Sequence, residues 1–316
     1  MAIISNTFES YQTVGNREDL ANTIYNISPS DVPFMSMIGR SKAKNTLVEW
    51  QTDALASAVA TNAQIEGDEY AFDAVVPTVR LNNYTQISRK TIIVSGSQQA
   101  GNHAGVTNEI AYGLAKKSKE LKRDMETCLT NKVAKAAGAS GTARKLGGLE
   151  TWLTTNVSRG SGSPTGSGAG NGAAPVDAGT ARILTEAMLK SVIQSCFSAG
   201  SDSNTIMVGP FNKGKISGFT GRASARQNVA ATTIQAAADL FSSDFGDYKV
   251  IPNRFQRDKC AFVLDADFWS VAYYRDFKQE EVSRTGDAIK RALLVEFSLV
   301  SKNEGSSGIV ADLTTA

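Results

Sequence analysis

From residue 106 to residue 137 the apolar positions Ile110, Leu114, Leu121, Met125, Cys128, Leu129 and Val133 recur three, four and seven apart. That spacing predicts one stripe of a helix, with Lys116, Lys117, Lys119, Glu120, Lys122 and Arg123 on its wetter side. Thr107 is placed to cap its start and Gly138 to end it. Roughly thirty residues make a rod of about 45 Å, long for a globular helix and suited to a structural spine. A shorter stripe, Leu189, Val192, Ile193, Cys196 and Phe197, runs from a Thr185 cap to Gly200 and predicts a second helix. A third is expected around residues 212–222.

Elsewhere the rhythm shortens to two. Residues 46–52 put Val48 and Trp50 on one face, and the β-branched run 78–95 offers a return strand. Residues 204–208, 248–252 and 260–264 read as short strands. Residues 288–300 alternate with Ile289, Leu293, Val295, Phe297 and Leu299 on one face; a turn-rich 302–308 then leads to residues 309–311 in a terminal hairpin. The aromatic group Phe268, Trp269, Tyr273, Tyr274 and Phe277 has helical spacing and predicts a short helix over 268–277, with Asp267 near its cap. Its rings read as core rather than as a base-stacking surface. Strands and helices mix without a regular βαβ repeat, so the fold class is α+β.

Three segments fit neither rhythm. Residues 1–45 carry Pro29 and Pro33, which oppose helix and central strand, yet hold Leu20, Ile24, Tyr25, Phe34, Met35, Met37 and Ile38. An irregular arm with that much apolar surface must lay it on its own domain or on a neighbour. Residues 53–77 form a long, mostly small and acidic connection inside the predicted hairpin. A compact domain rarely holds such a length without a task, and a hairpin tip this poor in large apolar residues makes no core of its own. Residues 159–175, RGSGSPTGSGAGNGAAP, read as a surface loop or linker.

Composition narrows the function. The 316 residues hold 33 Lys and Arg against 31 Asp and Glu, a net charge of +2. A dedicated nucleic-acid binder needs clustered cations to neutralise phosphates, so near-neutrality fits a wall better than a reader. No stretch has the apolar length of a bilayer span, and the first residues lack the pattern of a signal peptide. Cys128, Cys196 and Cys260 lie far apart without a CxxC pair, and His103 is the only histidine. Three reduced thiols are expected, with no metal site.

Catalytic chemistry finds little support. Gly209-Pro-Phe-Asn-Lys-Gly-Lys215 fits the GxxxxGK of a phosphate-binding loop after a strand, but Ile216 stands where a magnesium-holding hydroxyl belongs. Lys213 and Lys215 then read as solvated helix charges. His103 has no acidic neighbour in sequence. The pairs Asp244/Asp247, Asp265/Asp267 and Glu280/Glu281 follow no calcium-loop pattern. No catalytic, cofactor-binding or metal residue is expected.

The segment NREDLANTIYNISPSDVPFMSMIG (residues 16–39), followed by EWQTD (49–53), resembles tailed-bacteriophage major capsid proteins with the HK-ninety-seven-type fold. The order of elements extends the resemblance over nearly the whole chain. It implies an N-terminal arm at 1–45, an extended loop at 46–95 that overlaps the adjacent subunit, and a peripheral domain at 96–179 with the spine helix and Gly/Ser-rich loop. An axial domain would span 180–253, and residues 254–316 would supply the remaining strands. The implied function is self-assembly into pentamers and hexamers of an icosahedral shell around double-stranded DNA, which the wall touches weakly and without sequence preference. Portal, scaffolding and decoration proteins would be further partners, with no membrane. The virion would hold the protein after its synthesis in the bacterial cytoplasm. Candidate intersubunit contacts are Phe34, Met35, Met37, Ile38, Trp50, Glu66, Asp68, Tyr70 and Phe72. An encapsulin-like compartment shell, a P-loop nucleotide-binding protein and a fibre-like adhesin are the rival readings.

Overall fold

The computed structural model describes residues 31–69, 72–101, 105–162, 170–173, 179–219 and 239–315. In chain order the elements are α1 (Pro33–Met37), β1 (Gly39–Lys42), β2 (Leu47–Thr52), β3 (Val79–Tyr84), β4 (Gln86–Ser95) and α2 (Gly96–Ala100). Then come α3 (Glu109–Thr130), α4 (Leu149–Trp152), β5 (Asn156–Ser158), α5 (Glu186–Ser198), β6 (Thr205–Val208) and α6 (Pro210–Ser217). The chain continues with β7 (Leu240–Ser243), β8 (Gly246–Pro252), β9 (Ala261–Leu264), β10 (Trp269–Val282), β11 (Ala288–Ser301) and β12 (Gly308–Val310). The class is mixed helix and strand.

Three sheets organise these elements. A four-stranded sheet has the order β1-β10-β11-β4, a six-stranded sheet β5-β12-β9-β6-β8-β7, and β2 pairs with β3 alone. The middle of the six-stranded sheet is buried on both faces, which is why β6 and β9 read as unbroken apolar runs rather than alternating ones. Successive residues point to opposite faces. Met207, Phe262, Leu264 and Ile309 therefore join a core with Leu121, Met125, Leu129, Trp152, Trp269 and Phe297. Ile206, Val208, Ala261, Val263 and Val310 join a second core with the α5 stripe Leu189, Val192, Ile193 and Cys196. One sheet serves two cores.

The spine helix is shorter than its pattern. Asn108, not Thr107, caps α3 by accepting from the Ala111 N–H at 2.9 Å, and the helix stops at Thr130. Beyond it Asn131 turns extended, its side chain holds the Val133 N–H, and Ala136 bridges Lys145. Gly138 thus serves the turn of this small excursion, at φ +73°, and not the end of the helix. On its inner side α3 packs on β4 closely enough that a Cβ at Gly113 would collide with Ile92 Cδ1.

Six other expectations change. Residues 269–282 form a strand, with Trp269, Val271 and Tyr273 facing the core and Phe268, Tyr274 and Phe277 partly exposed. A spacing of four belongs to a strand's doubled period as well as to a helix turn, and the pairing with β11 decides for the strand. The cap before it is Asp265 on a short 3-10 turn, not Asp267. Residues 308–310 leave β11 and insert between β5 and β9 of the other sheet, so no terminal hairpin forms. Phe197 leaves the α5 stripe and stacks near Phe245, with ring centroids 5.1 Å apart. Within the Gly/Ser-rich run, Gly170 and Gly172 are buried, and Gly172 lies against Trp152 rather than in a free loop. The helix expected at 212–222 spans Pro210–Ser217. Residues 1–30 and His103 lie outside the described residues.

Candidate assembly surface

Strand β2 pairs antiparallel with β3 from Leu47↔Tyr84 to Thr52↔Val79, as the alternation predicts, but the return strand divides at Thr85. Before that break the chain belongs to this ladder; after it, β4 joins β11 over ten residues. The ladder's base is fixed at several points. Trp50 packs on Trp152 with ring centroids 5.4 Å apart. The buried Asn83 side chain donates to the Leu299 carbonyl at 2.7 Å and accepts from the Gly147 N–H at 2.9 Å. Lys135 Nζ donates to Asn82 Oδ1 at 2.8 Å.

Thr85 itself is tied to a buried carboxylate. Glu296 on β11 accepts from Thr85 Oγ1, from Arg144 Nη2 and from Arg275 Nε, each at 2.7 Å. One side chain thus joins the break between β3 and β4, the 136–145 excursion and strand β10. Two guanidinium groups around one carboxylate supply the pairing that such a buried charge needs.

Past this anchored base the described part of the connection lies in solvent. The described residues of 53–78 are exposed throughout, with Leu55 at 99%, Phe72 at 97% and Val75 at 93%. Ile65 and Val76 are exposed too. Large apolar side chains in one solvated segment mark an interaction surface. Glu66, Asp68 and Phe72 lie on this arm, and Tyr70 lies outside the described residues.

The other candidate contacts are placed differently. Phe34, Met35 and Ile38 are buried in the subunit's own core, with Met37 half-buried against it and Trp50 half-buried at the hairpin base. Most of the apolar surface of Phe34, Met35 and Ile38 is thus spent within the chain. The cause is Glu126, a fully buried residue of α3 whose carboxylate accepts from the Phe34 N–H at 2.7 Å and the Met35 N–H at 2.9 Å. These are first-turn donors of α1, orphaned in any helix. The same carboxylate accepts from Asn253 Nδ2 at 2.7 Å. Burial pushes the Glu126 carboxyl up from its ordinary value, against the pull of those three donors. Neither Glu126 nor Glu296 is readable from the sequence; a carboxylate beside an apolar stripe is the one faint signal.

The phosphate-loop pattern dissolves in the structure. Gly209 caps α6 with Pro210 in its first turn, and the Asp258 carboxylate occupies the space where a Cβ on Gly209 would sit. An anion therefore already stands where a phosphate would have to enter. Lys213 reaches Asp239 and the Val250 carbonyl, and Lys215 lies over the Phe211 ring. Among the described residues no group of three or more His, Cys, Asp or Glu side chains is placed to hold a metal ion. The three cysteines are free thiols, Cys196 and Cys260 buried. No helix of the described residues is long and apolar enough to cross a membrane.

Solved structures share this architecture along its length. The chain in the capsid asymmetric unit of Cyanophage A-1(L) superposes with a TM-score of 0.69 at 12% identity, covering 97% of this chain and 99% of that one. A chain of Mycobacterium phage Adephagia gives 0.63 at 10% identity, covering 98% and 100%. One from the capsid of a native GTA particle gives 0.66 at 9% identity, covering 96% and 98%. The fold is thus that of phage-capsid subunits, proteins that build a wall. At the level of sequence, the SU10 major capsid protein family matches residues 4–314, and the chain belongs to that family. The major capsid protein of Escherichia phage Phieco32 is 30% identical over 337 aligned positions, covering 96% of each chain. The function is that of a phage major capsid protein.

Proposed function

We propose that this subunit has the HK-ninety-seven-type fold and builds an icosahedral shell of pentamers and hexamers around double-stranded DNA. In this reading residues 1–45 are the N-terminal arm and 46–95 the extended loop reaching the adjacent subunit. Residues 96–179 form the peripheral domain, 180–253 the axial domain, and 254–316 the strands that complete both. The chain has no catalytic role. It works with portal, scaffolding and decoration proteins, and it is made in the host cytoplasm before entering the virion.

The observation that carries this reading is the contrast at Thr52 and Val79: a rigid base on one side, an exposed apolar arm on the other. Burying four of the arm's large apolar side chains on another chain would return on the order of 10 kcal/mol before the ordering cost is met. That gain is available only between subunits, because the arm lacks a core of its own. Closed symmetry then consumes every such surface. Deletion of residues 53–77 with a short turn in their place tests the reading. The expected product is a folded subunit with α3 intact that forms no shells in negative-stain micrographs. Normal particles from this deletion would refute the assignment.

A further inference from the structure

Beside the base of α1 lies an open groove of about 560 Å³. Its apolar floor is made by Met35, Tyr273 and Phe277, and its rim by Arg40, Lys42 and Lys122. The three cations are exposed, and none is ion-paired among the described residues. Among the described residues Asp276 is the one carboxylate lining the same groove, so their rim is cationic. The groove also runs along β1, whose four residues are exposed and which, among the described residues, stands at the edge of its sheet, paired only with β10. An unpaired edge carries N–H and C=O groups that accept an added extended segment.

The arm has the complementary chemistry. Residues 53–77 contain Asp53, Glu66, Asp68, Glu69 and Asp73 and no Lys or Arg. Within it Ile65, Glu66, Gly67, Asp68 and Glu69 set one exposed apolar residue beside three carboxylates. By contrast, residues 1–30 carry Glu9, Glu18 and Asp19 together with Arg17, a weaker match to a cationic rim.

We propose that residues 65–69 of one subunit dock in the α1/β1/β10 groove of a second copy of this chain. The Ile65 side chain enters the floor at Met35 and Phe277, and Glu66, Asp68 and Glu69 meet Arg40, Lys42 and Lys122. This rests on the shell-building reading and gives the arm a defined address. Charge pairing of this kind fixes register and rejects wrong neighbours more than it adds affinity. The groove could not exist if α1 were mobile. Glu126 holds it in place, so the buried carboxylate positions the receiving surface.

Charge reversal in three chains tests the docking. Arg40→Glu/Lys42→Glu/Lys122→Glu and Glu66→Lys/Asp68→Lys/Glu69→Lys should each fold, by circular dichroism, yet give about tenfold fewer particles than the unaltered chain. The six-substitution chain carrying both sets should recover assembly. Either triple assembling normally, or a folded six-substitution chain that fails, overturns the proposal. So does loss of assembly on groove reversal alone, the result expected if residues 1–30 fill the groove. Independently, particles of Ser41→Cys/Asp68→Cys in a Cys128→Ser background should give a disulfide ladder between subunits without reductant. Intrachain bonds alone, or none, would also overturn it. If the unaltered chain forms no shells, the wider reading fails instead.

Discussion

Glu126 offers the sharpest test of how the arm's root is held. Glu126→Ala deprives the Phe34 N–H, the Met35 N–H and Asn253 Nδ2 of their common acceptor. Glu126, Phe34 and Asn253 are fully buried and Met35 nearly so, so water does not replace it. Each orphaned donor costs about 1–3 kcal/mol. Against that stands the relief of a buried charge with no cation beside it, worth several kcal/mol. The net loss should be about 2–4 kcal/mol. Hydrogen exchange localises it: the Phe34 and Met35 amides should lose protection in the variant while amides in β9 keep theirs. Glu126→Gln keeps an oxygen for two of the donors and should lose less. The pH dependence then follows from the raised carboxyl. Above the unfolded value the folded chain holds the extra proton, so the group's contribution is full below that value and is lost as pH rises through the folded value. The stability difference, wild type minus Glu126→Gln, should therefore shrink from about pH 4.5 upward. A difference that grows with pH in urea titrations would show that the donors outweigh burial, and would refute the reasoning.

Three other tests concern packing and chemistry away from the arm. Gly113→Ala gains about 1 kcal/mol of helix propensity but must push aside Ile92 Cδ1, the end of a half-buried side chain, so the net change should stay within about 1 kcal/mol; in an Ile92→Val background, where the colliding methyl is gone, the same substitution should raise the melting temperature. Glu296→Ala should cost about 3 kcal/mol; a double-mutant cycle with Arg144→Ala should give the larger coupling than one with Arg275→Ala, whose side chain is 45% exposed. Burial pushes the Cys196 thiol up to about 12. At pH 8 iodoacetamide should leave Cys196 and Cys260 unmodified in the folded chain and label Cys128 slowly, as mass spectrometry of digests would show.

The parts legible in the sequence were those decided locally. The β2–β3 ladder follows from alternation around Val48 and Trp50, and α5 from a capped stripe with a glycine stop. Residues 132–137 show where local pattern loses: they continue the helical spacing, yet contacts with Gly148 and Lys145 draw them straight. The spacing at positions 269, 273 and 277 satisfies both periods, and only the pairing with β11 decides for the strand. The assembly surface divides in the same way. An overlong acidic connection is visible in a string of letters, and its exposed arm residues were among the expected contacts. Phe34 is expected there too, but the carboxylate that holds its backbone lies about ninety residues on, and no spacing rule reports that.

The position of β12 has a bearing on manufacture. Residues 308–310 follow every other described strand in chain order, yet they lie between β5 and β9, and among the described residues β5 pairs with no other strand. A polypeptide interrupted upstream of them has a slot in the middle of its larger sheet and an apolar interior open to water. Such a fragment would not present a rigid base for its hairpin or a settled groove for another's. Unfinished copies would thus disqualify themselves from the lattice, a form of proofreading that needs no separate inspector.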